Sequence, residues 1–576
     1  MTPTPQLVQI RRPSPRRANR FAPWRIATLI AIHLLAAAHL AHWLIAGRTL
    51  APLELNEVLH TMHAGIVTAG FLLMAVAALA TVVFGRFFCG WGCHVLALQD
   101  LAAGILARLR LRPRPIESRA LALVAPAALV YLFVWPQLER IAAGRPMPVL
   151  RVLDDSRGGW SSFVTADPWR NLPGPGIAIA TLLVCGVVVV YVLGTRSFCR
   201  LACPYGALFG ILDRFAPGRI VARSRDCGDC RRCTAVCQSG IRVHEEIRTY
   251  GKVVNPRCLR DLDCVAACPK DALRFGLTRP PLFGAPAATA NQVPTKTEEV
   301  VAAVVCAATV LATRGLYETV SFLLAIGLGC LAAGVAVLAL RVARKQPVRL
   351  GGLVLGQKGS VSAAGSVFLG ASAIAALLLA HSAFVRLAEI RADAALARAR
   401  ADVAALAEAD AHVRACRTWG IVAPVTRERR LASIAIGHGV LPTAEGALRR
   451  VLSDEPDDVE ARMRLAAVLT RSGRAADAVR ELRIATNARP RDARLQADLG
   501  VALAMAGSTD AARRALTIAV RIDPGLAVAH TNLGLLLADR GDLAGAGRHL
   551  ASAVRLDPSD VRARAALRMV NRLESR

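Results

Sequence analysis

Seven apolar runs, separated by loops that alternate between arginine-rich and weakly charged, restrict this chain to a fold built on membrane helices. About twenty apolar residues cross roughly 30 Å of hydrocarbon only as a helix, which satisfies its own backbone N–H and C=O groups. The runs cover about 26–46, 62–84, 120–138, 176–194, a 300–340 block broken by Arg314 and Glu318 into a hairpin of two helices, and 363–385. The first arm of the hairpin is short enough to be either spanning or re-entrant. No small-residue cleavage site follows the first run, so it reads as an anchor rather than a signal peptide. Six arginines (Arg11, Arg12, Arg16, Arg17, Arg20, Arg25) and no acid precede it or open it. Arg108, Arg110, Arg112, Arg114 and Arg119 follow the second run, and Arg341, Arg344, Lys345, Arg349 and Lys358 follow the hairpin. Positive charge stays in the cytoplasm, so these loops are expected there, and an odd number of crossings sends the chain after about Arg386 to the other side. The expected location is a bacterial inner (plasma) membrane, multi-pass, with the C-terminal region periplasmic.

This charge pattern accounts for the composition. The 576 residues are 54% hydrophobic yet 20% charged, with a net charge of +30, which fits a membrane portion joined to soluble portions. The arginines mark topology, and no nucleic-acid partner is expected.

Eleven of the fifteen cysteines fall in tight clusters, which points to metal rather than disulfides. The strongest pattern is Cys227-x2-Cys230-x2-Cys233-x3-Cys237, followed by Cys258-x5-Cys264-x3-Cys268-Pro269. Three thiolates at that spacing wrap one face of a cubane, and the fourth reaches toward a second cluster. Cys227, Cys230, Cys233 and Cys268 would hold one 4Fe–4S centre, and Cys237, Cys258 and Cys264 the other. Zinc, the competing reading, favours two separated pairs. The pattern resembles the bacterial-type two-cluster ferredoxins, with two departures. Asp261 stands where the second motif expects cysteine, and Gln238 replaces a frequent proline. Oxygen holds iron less firmly than thiolate, so with Asp261 as fourth ligand the second centre is expected to be a labile 4Fe–4S or a 3Fe–4S cluster.

Two further pairs end the second and fourth apolar runs: Cys89-x3-Cys93-His94 and Cys199-x3-Cys203-Pro204. They align as Arg-x-Phe-Cys-x3-Cys, 110 residues apart, so the first four helices look internally duplicated. Each pair shares one helical face and suits a third metal site or redox thiols, against the bland reading of buried structural thiols. Cys185, Cys306, Cys330 and Cys416 have no partner in sequence, and the first three read as membrane packing residues. His42, His60 and His63 would share the non-cytoplasmic depth and form a haem, copper or quinone site, although histidines at helix ends more often bond backbone carbonyls.

Two helix pairs, each ending in Cys-x3-Cys, followed by a two-cluster ferredoxin domain, resemble the membrane polyferredoxins of the NapH, NosR and CcoG type over about residues 20–285. His94 stands where the first motif of that family has proline. The resemblance implies electron transfer between a quinol pool or cytoplasmic donor and a respiratory or maturation system, and one branch is similar to copper-reducing assembly factors. Beyond residue 425, Pro456, Pro490, Pro524 and Pro558 recur every 34 residues, as do Gly439, Gly473, Gly507 and Gly541 and also Ala444, Ala478, Ala512 and Ala546. A small residue where two helices cross and a proline before the next unit resemble the tetratricopeptide repeat (TPR) family over 425–560, with 561–573 as a capping helix. Such a solenoid implies a protein partner.

The expected fold is mainly α: a polytopic helical membrane core, an inserted two-cluster (α+β) ferredoxin domain and a C-terminal α-solenoid. The expected boundaries are 1–25 basic tail, 26–205 core, 206–285 ferredoxin domain, 286–385 three further segments, 386–424 helical linker and 425–576 repeat domain. Three functions compete. The first is an electron carrier with a quinone or redox protein as partner. The second is a maturation factor that reduces copper or thiols. The third is a scaffold with structural clusters. The cysteine inventory argues against the scaffold, and the few methionines, seven in all, favour the carrier over copper handling. The chain is expected to act as an electron-transfer component more than as a stand-alone enzyme.

Overall fold

The computed structural model describes residues 19–53, 56–111, 118–153, 162–165, 175–223, 227, 229–282, 284, 294–350, 352–422 and 424–575. Arg11, Arg12, Arg16, Arg17, Arg112 and Arg114 of the expected basic loops lie outside them. The chain forms two compact units, Met1–Ala383 and Phe384–Arg576.

Among the described residues, five helices are long and apolar enough to cross a membrane: Ala22–Ala46, Arg119–Ala142, Gly176–Leu193 and Phe322–Ala343 in the first unit, and Ala363–Arg398, which begins in the first unit and ends in the second. Ala69–Phe84 is apolar but shorter. The 62–84 run is not one helix. Asn56–Ala64 ends at Gly65, whose positive φ turns the chain, and Ala69–Phe84 begins again with Thr68 as its N-cap. The reason is local: the Arg151 amide donates to the Gly65 carbonyl and the Val67 amide to the Arg151 carbonyl, a single bridge between the two segments, and a Cβ on Gly65 would meet the Val149 carbonyl. His60 and His63, expected at the head of the second membrane helix, therefore sit on a separate short helix. The hairpin consists of Lys296–Thr313 and Phe322–Ala343. Thr295 and Glu298 make a reciprocal capping box, and Glu298 also receives two hydrogen bonds from Arg341 at 2.8 and 2.9 Å. Glu299 accepts from the Ser118 hydroxyl and the Arg119 and Ala120 amides, so it caps the neighbouring helix where a positive dipole end favours it.

The ferredoxin segment is pinned by one antiparallel ladder, Gly218–Ala222 on Leu273–Leu277, which joins its first and last strands. Between them, the two cysteine loops fold alike. Asp229, Arg231 and Gly240 in the first loop have positive φ, and so do Arg260, Leu262 and Asp271 at the matching places of the second. Left-handed non-glycine backbone is unfavourable alone, and persists where the surroundings determine it. Each loop then enters a one-turn helix, Arg232–Ala235 or Asp263–Ala266.

The second unit stacks antiparallel helix pairs from Val425–Gly437 and Leu441–Asp454 through Ala527–Asp539 and Leu543–Leu556, closed by Val561–Glu574. Its core is a continuous alanine and leucine stack in which Ala444, Ala478, Ala512 and Ala546 are fully buried. The stretch expected as a linker contributes to the same core: Ala392, Ala409, Val413 and Cys416 pack with Leu431. Arg427 bonds Asp393 and Glu389 beneath it.

Candidate metal centres

The first cysteine loop and Cys268 enclose a cavity of about 90 Å³, lined by Cys227, Cys230, Cys233 and Cys268 together with His244, Ile247 and Leu273. This is the set expected to hold one cluster, with Cys227 and Cys230 exposed and with Arg231 and Lys270 also on the lining. Burial pushes the Cys233 thiol up to about 11, so thiolates here need a cation to balance them. A cubane fits the donor set and the space between the donors.

Cys237, Cys258 and Cys264 form the second group. Burial, with Asp261 and Cys258 next, raises Cys237 to about 12, and Cys264 rises under burial, Cys258, Asp261 and Cys237. Each of the three thus lies within electrostatic reach of another, with Asp261 beside them. Asp261 occupies the place that Cys230 holds in the first loop, between the same two left-handed residues. Its Oδ2 pairs with the buried Arg196 guanidinium, and its Oδ1 accepts from the Asp263 amide at 3.2 Å. Burial alone would raise this carboxyl, but the Arg196 charge and hydrogen bond, with Arg25, hold it below the ordinary range.

The two Cys-x3-Cys pairs come together. Cys89 lies in Phe87–Trp91, Cys93 precedes His94–Arg108, Cys199 lies in the π-turn Phe198–Ala202, and Cys203 caps Pro204–Asp213 by accepting from the Gly206 amide at 3.3 Å. Burial pushes Cys93 up to about 12, with the Cys89 and Cys203 thiols adding to it. Cys199 rises under burial and then Cys93, Cys203 and Cys89, and Cys203 reaches about 11 under burial and Cys89. Four half-buried cysteines from the two halves of the duplication therefore face one another. Arg86 bonds Cys89, and its positive charge acts on Cys199 as well. A cationic metal or cluster core would make four thiolates stable there.

The ferredoxin segment sits directly on this thiol group. Trp91 donates from its indole N–H to the Arg260 carbonyl at 3.0 Å, and Gly90 is close enough to the Leu259 carbonyl that no Cβ would fit. Arg260 reaches from the second cysteine loop to Asp213, with the 2.7 Å pair fully buried, and Arg219 joins the same carboxylate at 2.9 Å. Arg86 and Arg196 are the equivalent arginines of the duplicated motif, so one touches the thiol group and the other Asp261. Sequence spacing shows the motif but not these partners.

Among the described residues, no three His, Cys, Asp or Glu side chains close around a single-ion position. His42, His60 and His63 are not gathered into one. His42 and His39 instead approach the Thr49 hydroxyl at 3.1 and 3.3 Å. Cys306 and Cys330, without partners in sequence, hydrogen-bond each other across the hairpin.

A family model described as a 4Fe-4S binding domain matches residues 66–113 and 177–222, the two halves that carry the Cys-x3-Cys pairs, and a tetratricopeptide repeat model matches 435–499. The chain is 27% identical over 220 residues to the putative electron transport protein YccM of Escherichia coli, covering 37% of this chain and 57% of that protein. The methylamine utilization ferredoxin-type protein MauN of Methylorubrum extorquens is 26% identical over 231 residues, covering 37% of this chain and 72% of that protein. The ferredoxin-type protein NapH of Haemophilus influenzae is 23% identical, covering 45% of this chain and 90% of that protein. Fold and site together give a mainly helical chain with membrane-length apolar helices and 4Fe–4S-type cysteine motifs, which supports an iron–sulfur electron-transfer role. More particularly, the chain resembles the polyferredoxins of the NapH and NosR type over about a third to a half of its length, with tetratricopeptide repeats after that part.

Proposed function

We propose that this chain passes single electrons across the surface of its membrane core, between a quinol pool or cytoplasmic donor and a respiratory partner, through three centres. The first is held by Cys227, Cys230, Cys233 and Cys268. The second is held by Cys237, Cys258 and Cys264, with Asp261 at the fourth position. The third is the group Cys89, Cys93, Cys199 and Cys203. When bound, iron–sulfur clusters supply one-electron redox chemistry with little nuclear rearrangement.

The chain's own residues do the rest. The Arg260–Asp213 pair and the close Gly90 contact fix the second cysteine loop against the thiol group, which holds the spacing between centres constant. Arg86 and Arg196 place positive charge beside the thiol group and Asp261, which stabilises the reduced, more negative state of whatever they face. The convergence of four half-buried cysteines from two sequence halves against the second cysteine loop carries this reading. The TPR domain adds a docking surface for a protein partner, placed by the count of crossings in the periplasm.

The test is anaerobic reduction of the full chain by dithionite, followed by a water-soluble quinone analogue. Each quinone takes two electrons and two protons, and the protein returns to its oxidised spectrum. Serine at any one of Cys89, Cys93, Cys199 or Cys203 should stop this transfer while the ferredoxin EPR signals persist. Wild-type transfer in all four variants would leave the group as structural thiols.

A further inference from the structure

A cavity of about 360 Å³ opens beside Cys199, between the helix Pro204–Asp213, the first turns of Arg119–Ala142 and the second cysteine loop. Five arginines line it, Arg86, Arg196, Arg200, Arg214 and Arg257, and no carboxylate is among its described lining residues. Two of these guanidinium groups are built into the protein: Arg86 is 5% exposed and Arg196 2%. Both keep an N–H unused. Arg196 bonds Asp100 and Asp261 through Nε and Nη1, yet its buried Nη2 has no hydrogen-bond partner. Arg86 donates Nη1 to the Pro256 carbonyl at 3.2 Å, yet its buried Nε has none. A buried donor left without a partner is unfavourable, and more so when it is charged. The opposite wall is apolar. It includes Ala125 and Pro126, and it includes Ile211, which is 54% exposed on the outer face of its helix.

We propose that this cavity binds a phosphate group, with the headgroup of an anionic phospholipid as the expected source. Guanidinium forks match phosphate oxygens in pairs, and a basic pocket where apolar helices end is the arrangement that takes phosphorylated lipid headgroups. The bound phosphate accepts from the open N–H groups of Arg86 and Arg196, and Arg214 closes on it from the rim. The acyl chains then follow the apolar wall along the helices. Because Arg86 also bonds Cys89, occupancy lowers the positive potential at the thiol group and makes electrons there easier to lose.

Two variants separate this site from the clusters. Arg214 is exposed and takes no part in holding the thiols. Gly210 lies on the cavity wall, where an added Cβ meets nothing nearer than the Arg86 guanidinium at 4.0 Å, so Gly210→Leu fills the space while keeping every charge. The measurement is native mass spectrometry of the full chain, stripped of lipid in neutral detergent. It is then titrated with phosphatidylglycerol, with phosphatidylcholine of the same acyl chains, or with inorganic phosphate. Phosphatidylglycerol should be retained over phosphatidylcholine. Arg214→Ala should weaken it about fivefold, the loss expected for one arginine near a phosphorylated surface, and Gly210→Leu should abolish the preference. Inorganic phosphate binding with the same dependence on both variants, and no lipid preference, would keep the phosphate site and assign it a soluble ligand. No binding of either probe, or binding that neither variant changes, overturns the proposal.

Discussion

Asp261 is where a regular motif breaks, and the structure gives the break a physical setting. The carboxylate stands in the ligand place of the second loop but already serves Arg196 and the Asp263 amide. Iron at that corner competes with a buried ion pair for a hard donor, so it is held less firmly than iron on thiolate. Asp261→Cys should make the fourth iron tight. EPR of the air-oxidised wild type should show a three-iron signal that the variant lacks, and identical four-iron spectra in both would remove Asp261 as the cause of lability. Arg260 is tested differently. Its pair with Asp213 is fully buried, and Arg260→Ala removes one of the two arginines on that carboxylate while Arg219 remains, which should destabilise the unit by about 1.5–3 kcal/mol in detergent unfolding. The position of Asp261 was legible because cysteine spacing numbers the loop. Its partner was not, because Arg196 is 65 residues away and no local pattern says which helix end will face the loop.

At the scale of elements, the repeat units were the most legible part of the fold, since each landmark has a steric reason that recurs. Gly500 and Gly534 sit where two helices cross, and a Cβ at either would lie 2.6 or 2.7 Å from Leu516 or Leu550 Cγ. Gly500→Ala should therefore be net destabilising by about 1–2 kcal/mol in thermal unfolding, overpacking outweighing the helix propensity gained. Asp560 caps Val561–Glu574 through the Arg562 and Ala563 amides and accepts from Thr531. Its carboxyl is lowered by the Ala563 N–H, with Thr531 and Arg562 adding. A lowered folded value means the cap contributes fully above the ordinary aspartate range, about 3.9, and is lost as pH falls through the folded value. Amide exchange in 561–574 should accelerate below that range relative to Asp560→Asn, which keeps an acceptor at every pH. The break at Gly65 was hidden inside an apolar run because hydropathy carries no record of the strand segment that pairs with it. The stretch 386–424 was legible as helical, but its share in the repeat core was not, because alanine-rich faces look like a linker until a neighbour covers them.

For the whole molecule, topology is the claim that rests most on counting. Basic loops at 86–119 and 341–358 predict motif cysteines facing the cytoplasm and the TPR domain facing the periplasm. A reporter fused after Arg576 should be active only outside the cytoplasm, and cytoplasmic activity alone would change the number of crossings. The central claim is that cysteine loops and helix ends of one chain hold a chain of iron–sulfur centres. Anaerobic purification with iron and acid-labile sulfide counting, alongside redox-titrated EPR, tests it most directly. The account predicts at least about seven irons per chain with matching sulfide, two ferredoxin-type signals and further iron lost with Cys199→Ser. Fewer irons than that, or zinc in their place, would contradict it.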